Sequence, residues 1–415
     1  MKRKTKSVIV LLRFDNSLHN SNILRQTTDF SVSIQSPQSF SLYIHLPWCL
    51  HKCAYCDFNS HASTTENLPE QQYLQALLHD LQLACEPLKD RQVRSIFIGG
   101  GTPSLFSAEA IHQLLTACHT YTHLADNCEI TLETNPGTFE ISKFKQFLSA
   151  GINRLSIGVQ SFNDKYLQAL GRIHDAQNAL NAIQTASAIG FCNINIDLMF
   201  GLPNQTLKDA INEVQLAVQQ PVQHISYYQL TLEPNTVFHR YPPPLPNSDT
   251  QSEMQFAAQT ILHDAGFSRY EVSAYAQRDA HCRHNMAYWQ YHDYLGIGAG
   301  AHSKITLNGS ITRQQRTRQP ESYMHAVSTH THIVKQSHIS PVEQLFEFML
   351  NNLRLTQGFE RQQLHNLTQI DWHEIEPMLV QLMDEGLMEY HQSHYRASSL
   401  GYRFLDHITE RFLPN

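Results

Sequence analysis

Charge is scarce in this chain of 415 residues, since Asp, Glu, Lys and Arg make up only 16% of it. Acidic side chains outnumber basic ones, 37 to 30, for a formal charge of -7. That balance offers no broad basic field to hold a phosphate backbone, which argues against a nucleic-acid binder. Long apolar runs are also missing. A spanning helix needs roughly 18 to 20 consecutive apolar residues, and the longest early run, Val8 to Leu12, is bounded by Lys6 and Arg13. No membrane anchor is expected. The 17 Gly and 17 Pro follow no period and apolar residues reach 41%, so collagen-like, coiled-coil and disordered readings fail. At roughly 150 residues per domain the length suggests two to three domains.

A disulfide framework is absent too. Of the eight cysteines, Cys49, Cys53 and Cys56 crowd into one short segment, while Cys85, Cys118, Cys128, Cys192 and Cys282 stand alone. That distribution points to a metal site plus buried thiols in a reducing compartment. A cytoplasmic location is expected.

Residues 1–38 are polar, Ser/Asn/Gln-rich and locally basic, and read as a flexible arm. Its Arg/Ser-rich, acid-poor character leaves a mitochondrial transit peptide as the alternative. From residue 41 a theme repeats: a short β-branched or apolar run, a polar or glycine-bearing loop, then a helical pattern. The runs are Leu42–Leu46, Ser95–Ile98, Ile130–Glu133, Arg154–Val159, Ile194–Met199 and Ile225–Leu230. Between them apolar residues recur at three and four, as in Tyr73, Leu74, Leu77, Leu78 and Leu81. Alternating strands and helices imply parallel pairing, hence an α/β fold that is either a doubly wound sheet or a full or partial barrel.

Parallel α/β sheets carry their chemistry past the carboxyl ends of the strands. The unusual polar residues obey this rule. Cys49–Cys56 follow the first strand, Gly99-Gly100-Gly101-Thr102-Pro103 the second, Glu133 and Asn135 close the third, Gln160 closes the fourth, and Asp197 lies late in the fifth. The pattern breaks at the proline run 242–246, which reads as a domain seam. Residues 341–415 read as helices, a hairpin and a last helix, resembling a winged helix. With five Arg, no Lys and eleven acidic residues, that module is ill suited to reading a groove and is expected to pack or to cover substrate.

Thiolates are the preferred ligands of iron–sulfur clusters, and a 4Fe-4S cube has four iron corners. Three cysteines therefore leave one corner open to an exchangeable ligand. The alternative is structural zinc, with His45, His51, Asp57 or His61 as fourth ligand.

The spacing Cys-x3-Cys-x2-Cys, with an aromatic before the last cysteine, resembles the radical S-adenosylmethionine (SAM) superfamily. The resemblance implies a partial (β/α)6 TIM-type barrel, here residues 39–240, with SAM bound on the open iron and cleaved after one-electron transfer. It implies SAM contacts from Tyr43, Tyr55, Gly100, Gly101, Thr102, Glu133, Gln160, Arg172 and Asp197. Longer strings (SLYIHLPWC, CDFNSH, IFIGGGTPSL, NRLSIGVQSF, LGRIH, DLMFGLP, YYQLTLEPNT, HCRHNMAYW and DYLGIGAGAHS) resemble the HemW haem chaperone family, a branch of the oxygen-independent coproporphyrinogen III oxidase-like proteins. That resemblance implies a connecting region at 241–335, a C-terminal domain at 336–415, and haem as cofactor and cargo. Implied partners are acceptor haem proteins such as respiratory enzymes and an electron donor for the cluster.

Two features separate the branches. The decarboxylating oxidase carries a further cysteine after the triad, whereas here Cys56 is followed by Asp57 and Phe58. That departure argues against coproporphyrinogen III dehydrogenase activity. The string His284-Asn285-x-x-Tyr288-Trp289 resembles the family's haem-binding motif, which makes His284 the expected haem ligand. Gly296–Gly300 resembles a dinucleotide loop only superficially, lacking the following helix and acidic residue. It is expected to pack against the barrel rim.

Overall fold

A computed structural model describes residues 38–63, 68–137 and 141–414. Apart from Gln38, the expected arm 1–38 lies outside the described residues. Six strands carry the framework: β1 (Ser39–Leu46), β2 (Gln92–Gly100), β3 (His123–Thr134), β4 (Arg154–Gln160), β5 (Ile194–Phe200) and β6 (His224–Gln229). Each pairs in parallel with its successor in the chain. A doubly wound sheet reverses its strand order midway. This order runs straight through, so the open choice resolves to the partial barrel.

Helices complete the crossovers. In α1 (Glu70–Cys85), Tyr73, Leu74, Leu77 and Leu81 form the buried stripe and join Leu42, Ile44 and Leu46 of β1 in one core. In α2 (Ala108–Tyr121) the Ser107 hydroxyl caps the N-terminus by accepting from the Ala110 amide. Ser107 also donates to the Glu70 carboxylate at 2.7 Å, tying the two helices together.

Side chains alternate between the faces of a strand. Leu42, Ile44, Ile96, Ile98, Leu132, Ile157, Ile196 and Ile225 fill the core under the helices. The opposite face is polar and cross-linked: Ser95 donates to Ser41 at 2.8 Å, Asn195 to Ser156 at 2.8 Å, and His224 Nδ1 meets Asn195 Oδ1 at 2.6 Å. That face lines the barrel interior.

The segment after the proline run builds no sheet of its own. It supplies β7 (Ser268–Arg269) and β8 (Ala274–Ala276), which extend the β6 edge, and β9 (Tyr294–Ile297), β10 (His302–Leu307), β11 (Ser310–Arg316) and β12 (Ile333–His338), which extend the β1 edge. One twelve-stranded sheet results. Only β9 among these additions runs parallel to its neighbour, β1. Residues 339–412 supply nearly all of a separate core around Phe348, Leu364, Leu379 and Ile408, with Tyr291 and Ile311 reaching into it. The expected helices and hairpin of this module are present, the hairpin pairing Met388–His391 with His394–Ala397.

Candidate cofactor site at the barrel rim

The cysteine loop leaves β1 and is closed at its base, where Trp48–Cys49 pairs with His61–Ala62. Within it the Cys56 amide donates to the Cys53 carbonyl at 3.2 Å, and Lys52 Nζ donates to the carbonyls of Phe58 and Ser60, each at 3.2 Å. All three thiols are half-buried and free. Burial and the neighbouring thiols push Cys49 up to about 11, and burial also raises Cys56. Protonated thiols near one another become thiolates when a cationic centre binds them. Structural zinc takes four donors on one ion, whereas a cube spreads its thiolates over separate corners and leaves the fourth open when only three are supplied.

Glycine at β2's end lets the loop and barrel meet. The Gly101 amide donates to the Leu46 carbonyl at 2.8 Å and the Thr102 amide to the Trp48 carbonyl at 2.7 Å. A Cβ on Gly101 would overlap the Trp48 carbonyl. Gly100 has φ +123°, and its Cβ would meet the His45 ring at 2.7 Å.

The inward carboxyls come next. Glu133 Oε2 accepts from the Gly100 amide at 3.0 Å. Burial first, then the charge of Asp197, push Glu133 up to about 7. Burial raises Asp197 as well, against hydrogen bonds from Asn195, Ser226 and Ser156. Two inward carboxyls held above their ordinary range suit a cationic ligand. Gln160 sits in left-handed backbone at φ 68° and accepts from the Tyr228 hydroxyl at 2.7 Å. Tyr43 shares a hydrogen bond of 2.9 Å with His45 Nδ1. Arg172 reaches from beyond β4, with Nη1 3.5 Å from Cys53 Sγ, Nη2 donating to Asn135 Oδ1 and to the Gly158 carbonyl, and Nε buried without a partner. Together with Leu50, His51, Thr102, Gly171 and Ile173, residues Cys53, Asn135 and Arg172 line one cleft.

The structure thus gathers Cys53, Thr102 and Arg172 in one cleft, with Tyr55 adjacent to Arg172 and with Gly100 and Glu133 hydrogen-bonded to each other. Two members of the site carry weak sequence signals. Asn135 closes β3 and joins Arg172 to Thr102, donating to the Thr102 hydroxyl at 2.8 Å. Asn59, inside CDFNSH, donates to the carbonyls of Ala299 and Arg318 at 2.9 and 2.8 Å while its own carbonyl meets His45 Nε2 at 2.9 Å. The cysteine loop is thereby pinned to Gly296–Gly300, where Gly298 backs onto the His45 carbonyl.

His284 lies in the string His284-Asn285-x-x-Tyr288-Trp289. The motif forms a short helix, α3 (Arg283–Trp289), packed against β1 and β2. Its histidine is 1% exposed. His284 Nδ1 shares a hydrogen bond of 3.2 Å with Ser95 Oγ, and Nε2 one of 3.0 Å with the Tyr288 hydroxyl. Burial, then Arg154, lower His284 to about 3, which keeps it neutral. Both ring nitrogens are hydrogen-bonded in this arrangement. The ring stands at the barrel's inner face beside Phe97, with ring centroids 5.1 Å apart.

A partial barrel with a three-thiol loop past its first strand and inward carboxyls past its third and fifth defines a radical SAM protein. The profile of the radical SAM superfamily matches residues 43–217, and that of the HemN C-terminal domain matches residues 339–404. The chain is 43% identical to the haem chaperone HemW of Haemophilus influenzae, over 90% of this chain and 97% of that one. To the Escherichia coli haem chaperone HemW it is 41% identical, over 90% and 98%. The chain belongs to the HemW family. Its fold matches coproporphyrinogen III oxidase (HemN) of Escherichia coli with a TM-score of 0.77, at 20% identity over 90% of each chain.

Proposed function

We propose that this protein is a haem chaperone: it binds haem, keeps a 4Fe-4S cluster with an exchangeable SAM ligand, and passes haem to acceptor haem proteins. Cys49, Cys53 and Cys56 would hold three corners of the cluster, and His284 would ligate the haem once the Tyr288 hydrogen bond to its Nε2 opens. Tyr43, Tyr55, Gly100, Gly101, Thr102, Glu133, Gln160, Arg172 and Asp197 would hold SAM, whose sulfonium the bound cluster can reduce by one electron. Arg172 Nε, buried and unpartnered, offers a donor for a carboxylate. Glu133 and Asp197 offer the negative side, and the Gly100–Gly101 backbone permits close approach. The boundaries proposed for the parts remain 39–240 for the barrel, 241–335 for the connecting region and 336–415 for the last domain. The acceptors, the electron donor and a cytoplasmic location belong to the same reading. Among the described residues no helix is long and apolar enough to cross a membrane.

The observation that carries this reading is Phe58, which takes the place of a further thiol and stands 44% exposed beside an otherwise complete cluster loop. A loop without that thiol favours the carrier over the decarboxylating oxidase. Anaerobic reconstitution followed by parallel haem titration and coproporphyrinogen turnover tests it. Stoichiometric haem uptake without decarboxylated product is expected; product formation would overturn the reading.

A further inference from the structure

Arg172 touches both halves of the site. Its Nη1 lies 3.5 Å from Cys53 Sγ, and its Nη2 donates to the Gly158 carbonyl at 3.0 Å and to Asn135 Oδ1. Asn135 is itself fixed, since its amide donates to the Thr102 hydroxyl at 2.8 Å and the Thr102 amide donates to Trp48 at the base of the cysteine loop. The guanidinium is planar and carries its five N–H groups in one rigid fork. Held at Nη2 by two acceptors, it cannot turn away from Cys53 without breaking both bonds. Nε is left buried with no partner. One rigid cation therefore has a donor against a cluster thiol and a vacant donor for a ligand carboxylate.

Hydrogen bonds to cluster sulfurs and nearby positive charge favour the reduced cluster and raise its potential. A carboxylate paired with the same guanidinium cancels part of that charge. We infer that Arg172 couples the SAM subsite to the cluster: binding of the ligand's carboxylate weakens the positive field beside Cys53 and lowers the reduction potential. The inference rests on the cluster and SAM reading above and adds to it a defined electrostatic link. SAM would thus tune the electron's driving force through a side chain as well as through the open iron.

The test is a redox titration of the anaerobically reconstituted full chain, read by electron paramagnetic resonance, with wild type, Arg172→Gln and Asn135→Ala compared. At a fixed potential near the midpoint, the ratio of reduced to oxidised cluster should be about tenfold lower in Arg172→Gln than in wild type, equivalent to about 59 mV for one electron. Asn135→Ala keeps the charge but frees the fork, so a smaller shift of the same sign is expected. S-adenosylhomocysteine carries the carboxylate without the sulfonium, and should lower the wild-type potential by more than it lowers that of Arg172→Gln. Equal potentials in wild type and Arg172→Gln at equal iron content would overturn the link while leaving the cluster reading intact. Should Arg172→Gln fail to hold iron, an unshifted Asn135→Ala overturns it instead. A wild-type protein that takes up no iron overturns the site reading and the link together.

Discussion

Replacing Glu133 with Gln tests the electrostatics of the rim without removing its geometry. Glu133 Oε2 accepts the Gly100 amide at 3.0 Å, and the Gln carbonyl can accept the same bond. Burial first and the Asp197 charge second raise Glu133 from 4.5 to about 7. A carboxyl whose folded value is raised stabilises fully below its unfolded value, and that contribution is lost as pH climbs through the folded value. The shift is worth about 3 kcal/mol, lost between roughly pH 4.5 and 7. Gln does not titrate. Urea unfolding of the cluster-free, reduced protein should therefore show the stability of Glu133→Gln relative to wild type improving by up to about 3 kcal/mol between about pH 5 and pH 8. A cationic ligand beside Glu133 should reverse the effect, because it favours the carboxylate. SAM binding near neutral pH should then release a proton, seen as a buffer-dependent binding enthalpy. A stability difference that stays flat with pH, or that shrinks toward alkaline pH, would refute the reasoning.

Asp80 is fully buried, accepting from Arg316 Nε at 2.7 Å, from Arg316 Nη2 at 3.0 Å and from the Tyr323 hydroxyl at 2.7 Å. Asp80→Asn leaves that guanidinium uncompensated, so a loss of about 3–5 kcal/mol in denaturant unfolding is expected. Burial would raise Asp80, but Arg316 and His332 overcome it and hold the carboxyl well below its ordinary range. Its contribution should therefore be present at neutral pH and fade on acidification, and the cost of Asp80→Asn should shrink with it. Gly101→Ala drives a methyl into the Trp48 carbonyl and should cost about 1–3 kcal/mol while cutting iron uptake, as read by unfolding and iron assay. His284→Gln removes the imidazole while its amide can still hydrogen-bond at the barrel's inner face, so a folded variant should lose stoichiometric haem uptake, measured by titration. Unchanged uptake in a folded His284→Gln protein would rule the histidine out as the haem ligand.

Much of the fold was legible because its strands are short apolar runs separated by turn chemistry. Five of the six runs, Leu42–Leu46 and Ile194–Met199 among them, lie within the strands observed, the sixth overruns its strand by Leu230, and boundaries coincide or differ by up to seven residues. The cysteine spacing announced its loop directly, since three thiols in eight residues have few other uses. The region after the proline run was less legible. Its strands join opposite edges of the barrel sheet through pairings such as Leu42 with Leu295 and Ser226 with Ala274, which no local pattern encodes. The surroundings of His284 were hidden for a related reason. A histidine beside asparagine and aromatics reads alike at the surface or in the core, and its partner Ser95 lies 189 positions away. Asn59 escaped notice similarly, as its partners Ala299 and Arg318 are distant in sequence.

The most direct measurement counts iron and labile sulfide in the anaerobically reconstituted chain and records its reduced electron paramagnetic resonance spectrum with and without SAM. Four irons per chain, with a spectrum that changes when SAM is added and no cluster in Cys53→Ser, is the predicted result. Stoichiometric zinc in place of iron, or a cluster whose spectrum is indifferent to SAM, would contradict an open iron corner.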